Sequence, residues 1–390
     1  MPKVNPQILK WTREAASLSL EEAAQKLGMS GDGAAERLEA IEGGDKDPTR
    51  PMLVRMSEKY RRPLLTFYLL GPPKKSDKGR DFRTLPEAPP TGTEALLDAL
   101  LRDLHARQGL VRAALKEAEE DEPLGFVGSA RITDGVNSLV ESIRQTLDVS
   151  LEDFRQQRTI DDAFKLLRAG AERAGVFVLL MGNLGSHHTD IDVRAFRGFA
   201  LADAVAPFIV INEKDSRAAW SFTLLHELAH IWLGQTGISG YDGEEEVERF
   251  CDAVAARYLL DPQELQQIGA AASIKPNELS DRIGEFANER NLSRKMVAYN
   301  LWRAGAISAV AYRRLSDSFD VERRALQAKG RESEGGADYY VVRRHRVGSA
   351  LLELVRRMVA GGALSTVKAG RVLGVKPTNV DRLVANDHVA

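Results

Sequence analysis

The sequence predicts an α+β protein, with an all-helical N-terminal region, a mixed central region holding a small sheet, and a helical C-terminal segment. Three observations lead there. Apolar residues recur at helical spacing over most of the chain. Three short apolar runs between 176 and 212, bounded by Gly, Asn, Asp or Pro, interrupt that periodicity and read as strands. Helical periodicity then returns at once, and helices following a small sheet in this way make an α+β arrangement.

The chain has 390 residues, which at roughly 150 residues per domain suggests about two or three domains. Hydrophobic residues are 43% and charged residues 28%, near the averages for globular chains. With 54 Lys and Arg against 56 Asp and Glu the net charge is −2, which excludes a histone-like basic protein and a long acidic tail. The start MPKVNPQILKW has no apolar stretch behind a basic head, so no secretory signal is expected. No apolar run approaches the ~20 residues that span a bilayer. The single cysteine, Cys251, excludes an intramolecular disulfide and a CxxC zinc site, and a reduced cytoplasmic location is the simplest expectation.

Four zones follow in order: a helical domain over 1–70, a linker over 71–93 with five of the fifteen prolines, a mixed α/β domain over 94–330, and a basic helical segment over 339–390 behind the polar hinge RESEGGAD. In the first zone Ser19 and Glu22 form a capping box, and short helices around a Gly turn give a helix-turn-helix pattern. In the mixed zone, helices are expected over Glu94–Glu120, Val136–Leu147 and Ile160–Ala174. Strands are expected over Val176–Met181, Gly198–Leu201 and Pro207–Asn212, and helices again over Ser216–Gly234 and Glu244–Leu260.

The chemistry is concentrated at residues 226–230, His-Glu-Leu-Ala-His, an HExxH motif. On a helix, positions i and i+4 share a face, so His226 and His230 can direct ring nitrogens at one metal ion. Glu227 is rotated by about 100° from His226 and stands beside the open coordination position, where it can take a proton from an activated water. Residue frequencies give on the order of 0.01 such matches per chain by chance. Glu248, eighteen residues after His230, can complete a His2Glu set for Zn2+, and Asp252, one turn on, can accept an N–H from a ligand histidine. A third histidine at the HExxHxxGxxH position is excluded, because 233 is Leu and 236 is Thr. Tyr241, His187 and His188 are candidate hydrogen-bond donors to an oxyanion or substrate. The strand at 207–212 offers itself as an edge for an extended substrate.

HELAH at 226–230, followed by E-x-x-x-D and small residues leading to L-L-x-P, resembles the ImmA/IrrE-type zinc metallopeptidases of bacteria and phages. The likeness extends over roughly 170–310 and takes in GFALADAVAPFIVIN (198–212), similar to that family's strand pair before the metal helix. Asp252 stands where Asn is more usual. The pattern LSLEEAA…L…IE.G…P over 18–48 resembles the Xre/Cro repressors, and Asp81–Pro86 looks like a segment of long fused family members. The resemblance implies a zincin-like zinc endopeptidase acting on a protein substrate. A helix-turn-helix repressor or a toxin is the expected target, in a stress, prophage or toxin–antitoxin setting. The alternative it leaves open is a DNA-binding regulator or antitoxin whose peptidase fold serves sensing or partner binding. A second copy of the chain is a candidate partner in either case, and a membrane is not.

For DNA the sequence is divided between operator binding and a degenerate helix-turn-helix that pairs with another protein. The expected recognition helix, Gly33–Glu42, carries Glu36, Glu39 and Glu42 against Arg37, which opposes phosphate binding. Arg37 and Arg50 are nonetheless the candidate DNA contacts, and the tail from 343 to 390 carries nine basic and three acidic residues.

Overall fold

A computed structural model describes residues 4–73, 93–186, 189–235, 244–268, 274–333 and 338–385. The linker motif Asp81–Pro86 lies outside the described residues.

The N-terminal unit consists of α1 (Pro6–Glu14), α2 (Leu20–Lys26), α3 (Ala34–Gly43) and α4 (Arg50–Lys59), closed by a 3-10 turn over Leu64–Tyr68. Ser19 and Glu22 make the capping box at the start of α2. Ile8, Leu9, Leu27, Leu38, Met56 and Phe67 form a core of the unit's own. Two features differ from the sequence reading. The connection from α2 to α3 runs over seven residues, 27–33, with Gly28, Gly31 and Gly33 all at positive φ, longer than the 3–4 residues usual for this motif. Glu42 does not face a groove: it is buried and takes a bidentate bond from the Arg13 guanidinium at 2.9 to 3.0 Å. Its charge is therefore cancelled inside the core and does not repel a phosphate.

The mixed region begins with α5 (Thr93–Glu117), α6 (Val136–Leu147), α7 (Leu151–Arg155) and α8 (Ile160–Arg173). Strands β1 (Phe177–Leu180), β2 (Gly198–Leu201) and β3 (Phe208–Ile211) form a sheet in the order β1-β3-β2. β3 pairs parallel with β1 and antiparallel with β2. The strand at 207–212 is thus central, with both sides already hydrogen-bonded, and cannot accept a further strand. The edge next to the following helix belongs to β2. Next come α9 (Arg217–Trp232), α10 (Glu244–Leu259), α11 (Pro276–Asn288), α12 (Arg294–Arg303) and α13 (Ala309–Ser333).

All strand residues are buried, because the sheet is covered on both faces. Val178, Leu180, Ala200, Ile209 and Ile211 point into one core with α6, α8, α9 and α10. Phe177, Leu179, Phe199, Phe208 and Val210 point into a second core. That second core is filled by α5 and by the C-terminal helices α14 (Tyr339–Val347), α15 (Ser349–Ala360), α16 (Thr366–Leu373) and α17 (Val380–Val384). The basic tail is therefore one wall of the sheet's hydrophobic layer. Several of its cations are used internally. Arg343 donates to the carbonyls of Leu373 and Gly374 at 2.6 Å, and Arg344 to those of Arg382, Leu383 and Ala385. Arg346 pairs with Glu213, and Arg357 with Glu120. Arginines at helix C-termini complement the exposed carbonyls there.

Candidate metal centre

α9 is buried almost all round, from Trp220 to Trp232, as suits a helix of high apolar content lying between a sheet and other helices. Its last turn is held firmly. Gly234, at φ +68°, reverses the chain, and the carbonyls of Ile231 and Trp232 accept bonds from the amides of Gly128 and Ala130. The Trp232 ring stacks on Phe126 at 4.4 Å and donates to Ser142 Oγ. A helix terminus fixed by backbone, ring and side chain keeps His230 from fraying away.

α10 packs alongside through Phe250, Cys251, Val254 and Tyr258, which presents Glu248 and Asp252 to the HExxH face. His226 Nε2 and His230 Nε2 lie 3.1 Å apart, and the Glu248 carboxylate oxygens lie 3.3 Å from the first and 3.2 Å from the second. His226 and His230 are buried, and Glu248 is partly open to solvent. One ring nitrogen from each histidine and one Glu248 oxygen all lie within 4.8 Å of one another, close enough to hold a metal ion. The geometric test is simple: a tetrahedron with metal–ligand bonds of about 2.0 Å has edges of about 3.3 Å. The two ring nitrogens stand at about that edge, and each has one of the two Glu248 oxygens at a similar distance, so the donor set suits a small divalent cation.

Asp252 Oδ1 lies 2.9 Å from His226 Nδ1. Because a carboxylate can only accept here, Nδ1 carries the proton and Nε2 keeps its lone pair for a cation. Glu227 is fully buried one residue along the helix, between the ligand face and strand β2.

The sequence reading missed Gly198. A Cβ built there would stand 2.5 Å from Thr223 Cγ2 and 2.8 Å from Glu227 Oε1. The signal was present in the words GFAL, because a glycine inside a strand marks a close backbone approach. Phe222, one turn before His226 with its ring 6.4 Å from the imidazole, was also not singled out. Of the other candidates, Tyr241, His187 and His188 lie outside the described residues. Arg37 donates to the carbonyls of Ser30 and Asp32 and so holds the long turn, while Arg50 is exposed at the start of α4. No described helix is long and apolar enough to cross a membrane.

Residues 171–301 match the model of the peptidase M78 family, the IrrE N-terminal-like domain. The match begins at the end of α8 and takes in the sheet, both helices of the donor set and α11 and α12. No match was found among curated proteins or among solved structures.

Proposed function

We propose that the chain is a zinc-dependent endopeptidase with a helix-turn-helix module, acting on a transcriptional repressor or another regulatory protein. The observation that carries this reading is the His226–His230–Glu248 set, with the ring nitrogens 3.1 Å apart and a Glu248 oxygen 3.2 to 3.3 Å from each, beside a buried glutamate and inside a region matching a peptidase family. A His2Glu set leaves a coordination position open, as a catalytic site requires and a structural site does not.

Zinc bound by His226, His230 and Glu248 would supply a Lewis acid that polarises a peptide carbonyl and acidifies water. Glu227 accepts the proton of the attacking water and then delivers it to the leaving amine. Its burial against β2 keeps that carboxylate away from bulk solvent. Asp252 holds the His226 ring in one orientation and one tautomer. An extended peptide adds to the outer edge of β2, the edge strand beside α9, since β3 is already paired on both sides.

A second reading concerns the N-terminal unit. With Glu42 internally neutralised, α3 is less acidic than its sequence implies, and α4 exposes Arg50, Arg55 and Lys59. These features support a DNA-contacting role in which the peptidase fold senses a signal or a partner. The test for the first reading is Glu227→Gln in the full chain, incubated with co-encoded repressors and analysed by mass spectrometry. Zinc retained with cleavage abolished supports the peptidase; equal processing by both forms refutes it. For the second, full-length protein that ignores DNA at low salt excludes DNA binding.

A further inference from the structure

Gly198 occupies a close approach between the edge strand and the HExxH helix. Any side chain at 198 collides on two sides, with Thr223 Cγ2 at 2.5 Å and with Glu227 Oε1 at 2.8 Å and Cγ at 3.2 Å. No φ constraint explains the glycine, because 198 is not among the positions at positive φ. It pairs with Ile211 in the antiparallel ladder, and the neighbouring carbonyl of Arg197 accepts from the amide of Asn212. β2 is therefore anchored to β3 and cannot slide away to make room. On the helix side Thr223 and Glu227 are one turn apart on the buried face of α9, so the helix cannot rotate without moving His226 and His230. Room at this contact comes only from the missing side chain.

We propose that Gly198 is a positioning residue that sets the distance between the Glu227 carboxylate and the edge strand. This deepens the peptidase reading and rests on it. A peptide added to β2 has its backbone within one strand spacing, about 4.8 Å, of that edge. A carboxylate pressed against β2 then lies at the depth of the substrate backbone. A Cβ at 198 moves the strand outward or turns the carboxylate, and either change separates the proton acceptor from the peptide it serves. Displacements of about 1 Å are enough to cost ~100-fold in a step that depends on alignment.

The test uses the full chain with Co2+ as a spectroscopic probe of the donor set. Gly198→Ala alone meets both neighbours, so it is compared with Gly198→Ala/Thr223→Ser, in which the methyl collision is removed and only the one with Glu227 is left. The expected result is one cobalt per chain in wild type, Thr223→Ser and the double variant. The double variant's visible absorption should shift toward that of Glu227→Gln, with Thr223→Ser unchanged from wild type. A thermal-unfolding cycle checks the same contact without metal: Gly198→Ala should lower Tm clearly less in a Glu227→Ala background than in wild type. A double variant with the spectrum of Thr223→Ser, or a Tm cost that does not depend on residue 227, overturns the assignment alone. Wild type that takes up no cobalt overturns the peptidase reading, and this assignment with it.

Discussion

Arg168 and Glu172, one turn apart on α8, form a buried ion pair at 3.0 Å that joins the C-terminal helices to the sheet. Arg168 donates to the carbonyls of His345 and Arg346 at the end of α14, and also to that of Val178 in β1. Glu172 accepts from the amides of Ser349 and Ala350 at the start of α15 and from the Ser349 hydroxyl. One pair thus satisfies the carbonyl end of one helix and the amide end of the next. Gly348, between them at φ +87°, has no space for a Cβ.

Removing one partner should be costly. Glu172→Ala is expected to destabilise the protein by about 3–5 kcal/mol, because it leaves the Arg168 guanidinium buried without its carboxylate. Denaturant unfolding measures the cost, and hydrogen exchange should show protection lost first over 339–385. The double variant Arg168→Met/Glu172→Leu should cost less than either single truncation, since no charge is then stranded.

Gly234 lies against Gly128, and a Cβ at 234 would stand 2.9 Å from Gly128 Cα. Gly234→Ala combines that collision with a positive φ, so a loss of about 1–3 kcal/mol is expected. On the proposed reading the turn also seats His230, so zinc affinity should fall in parallel with stability; unchanged affinity would show that the turn only reverses the chain.

On the proposed reading, Asp252→Ala should lower zinc affinity by about 10- to 100-fold, whereas loss of Glu248 should reduce it further. Competition with a chromogenic chelator gives both values. Chelation of the metal should also lower Tm of wild type, because a ligand that binds only the folded state adds to its stability. Glu227→Gln should keep the affinity and lose the cleavage.

Glu264 provides a check at acid pH. Burial alone would raise its pKa, but hydrogen bonds from Arg155 and Arg290 outweigh this and hold the carboxyl below its usual value. A carboxylate with a depressed folded pKa stabilises the protein above its unfolded value, near 4.5, and that contribution fades as pH falls through the folded value. Glu264→Gln should therefore reduce stability at pH 7 and flatten its decline between about pH 5 and 3. Equal slopes for both proteins in urea titrations across that range would contradict the pairing.

Much of the framework was legible because it depends on local rules. The three strands lie within a residue or so of the apolar runs that predicted them, and α6 spans Val136–Leu147 as expected. Ser19 and Glu22 cap α2 because their spacing matches the geometry of a first turn. The i, i+4 placement of His226 and His230 follows from helix pitch alone. Other features escaped because sequence distance hides them. Strand order depends on pairing, so the run at 207–212 looked available as an edge although it takes the centre of the sheet. Glu42 counted as a surface charge until Arg13, 29 residues away, was seen to bury it.

By itself the sequence determined the helices and strands, the HExxH face and the kinds of atom available to a metal, since each follows from periodicity or side-chain chemistry within one element. Only the tertiary structure decided that Glu248 and Asp252 reach the two histidines, that Gly198 presses on Glu227, and that a basic tail closes the far side of the sheet. Those are contacts between elements. They are fixed by the packing of two cores on one sheet; local pattern nominates the residues, as a glycine inside a strand marks a close approach, but does not say what each one meets.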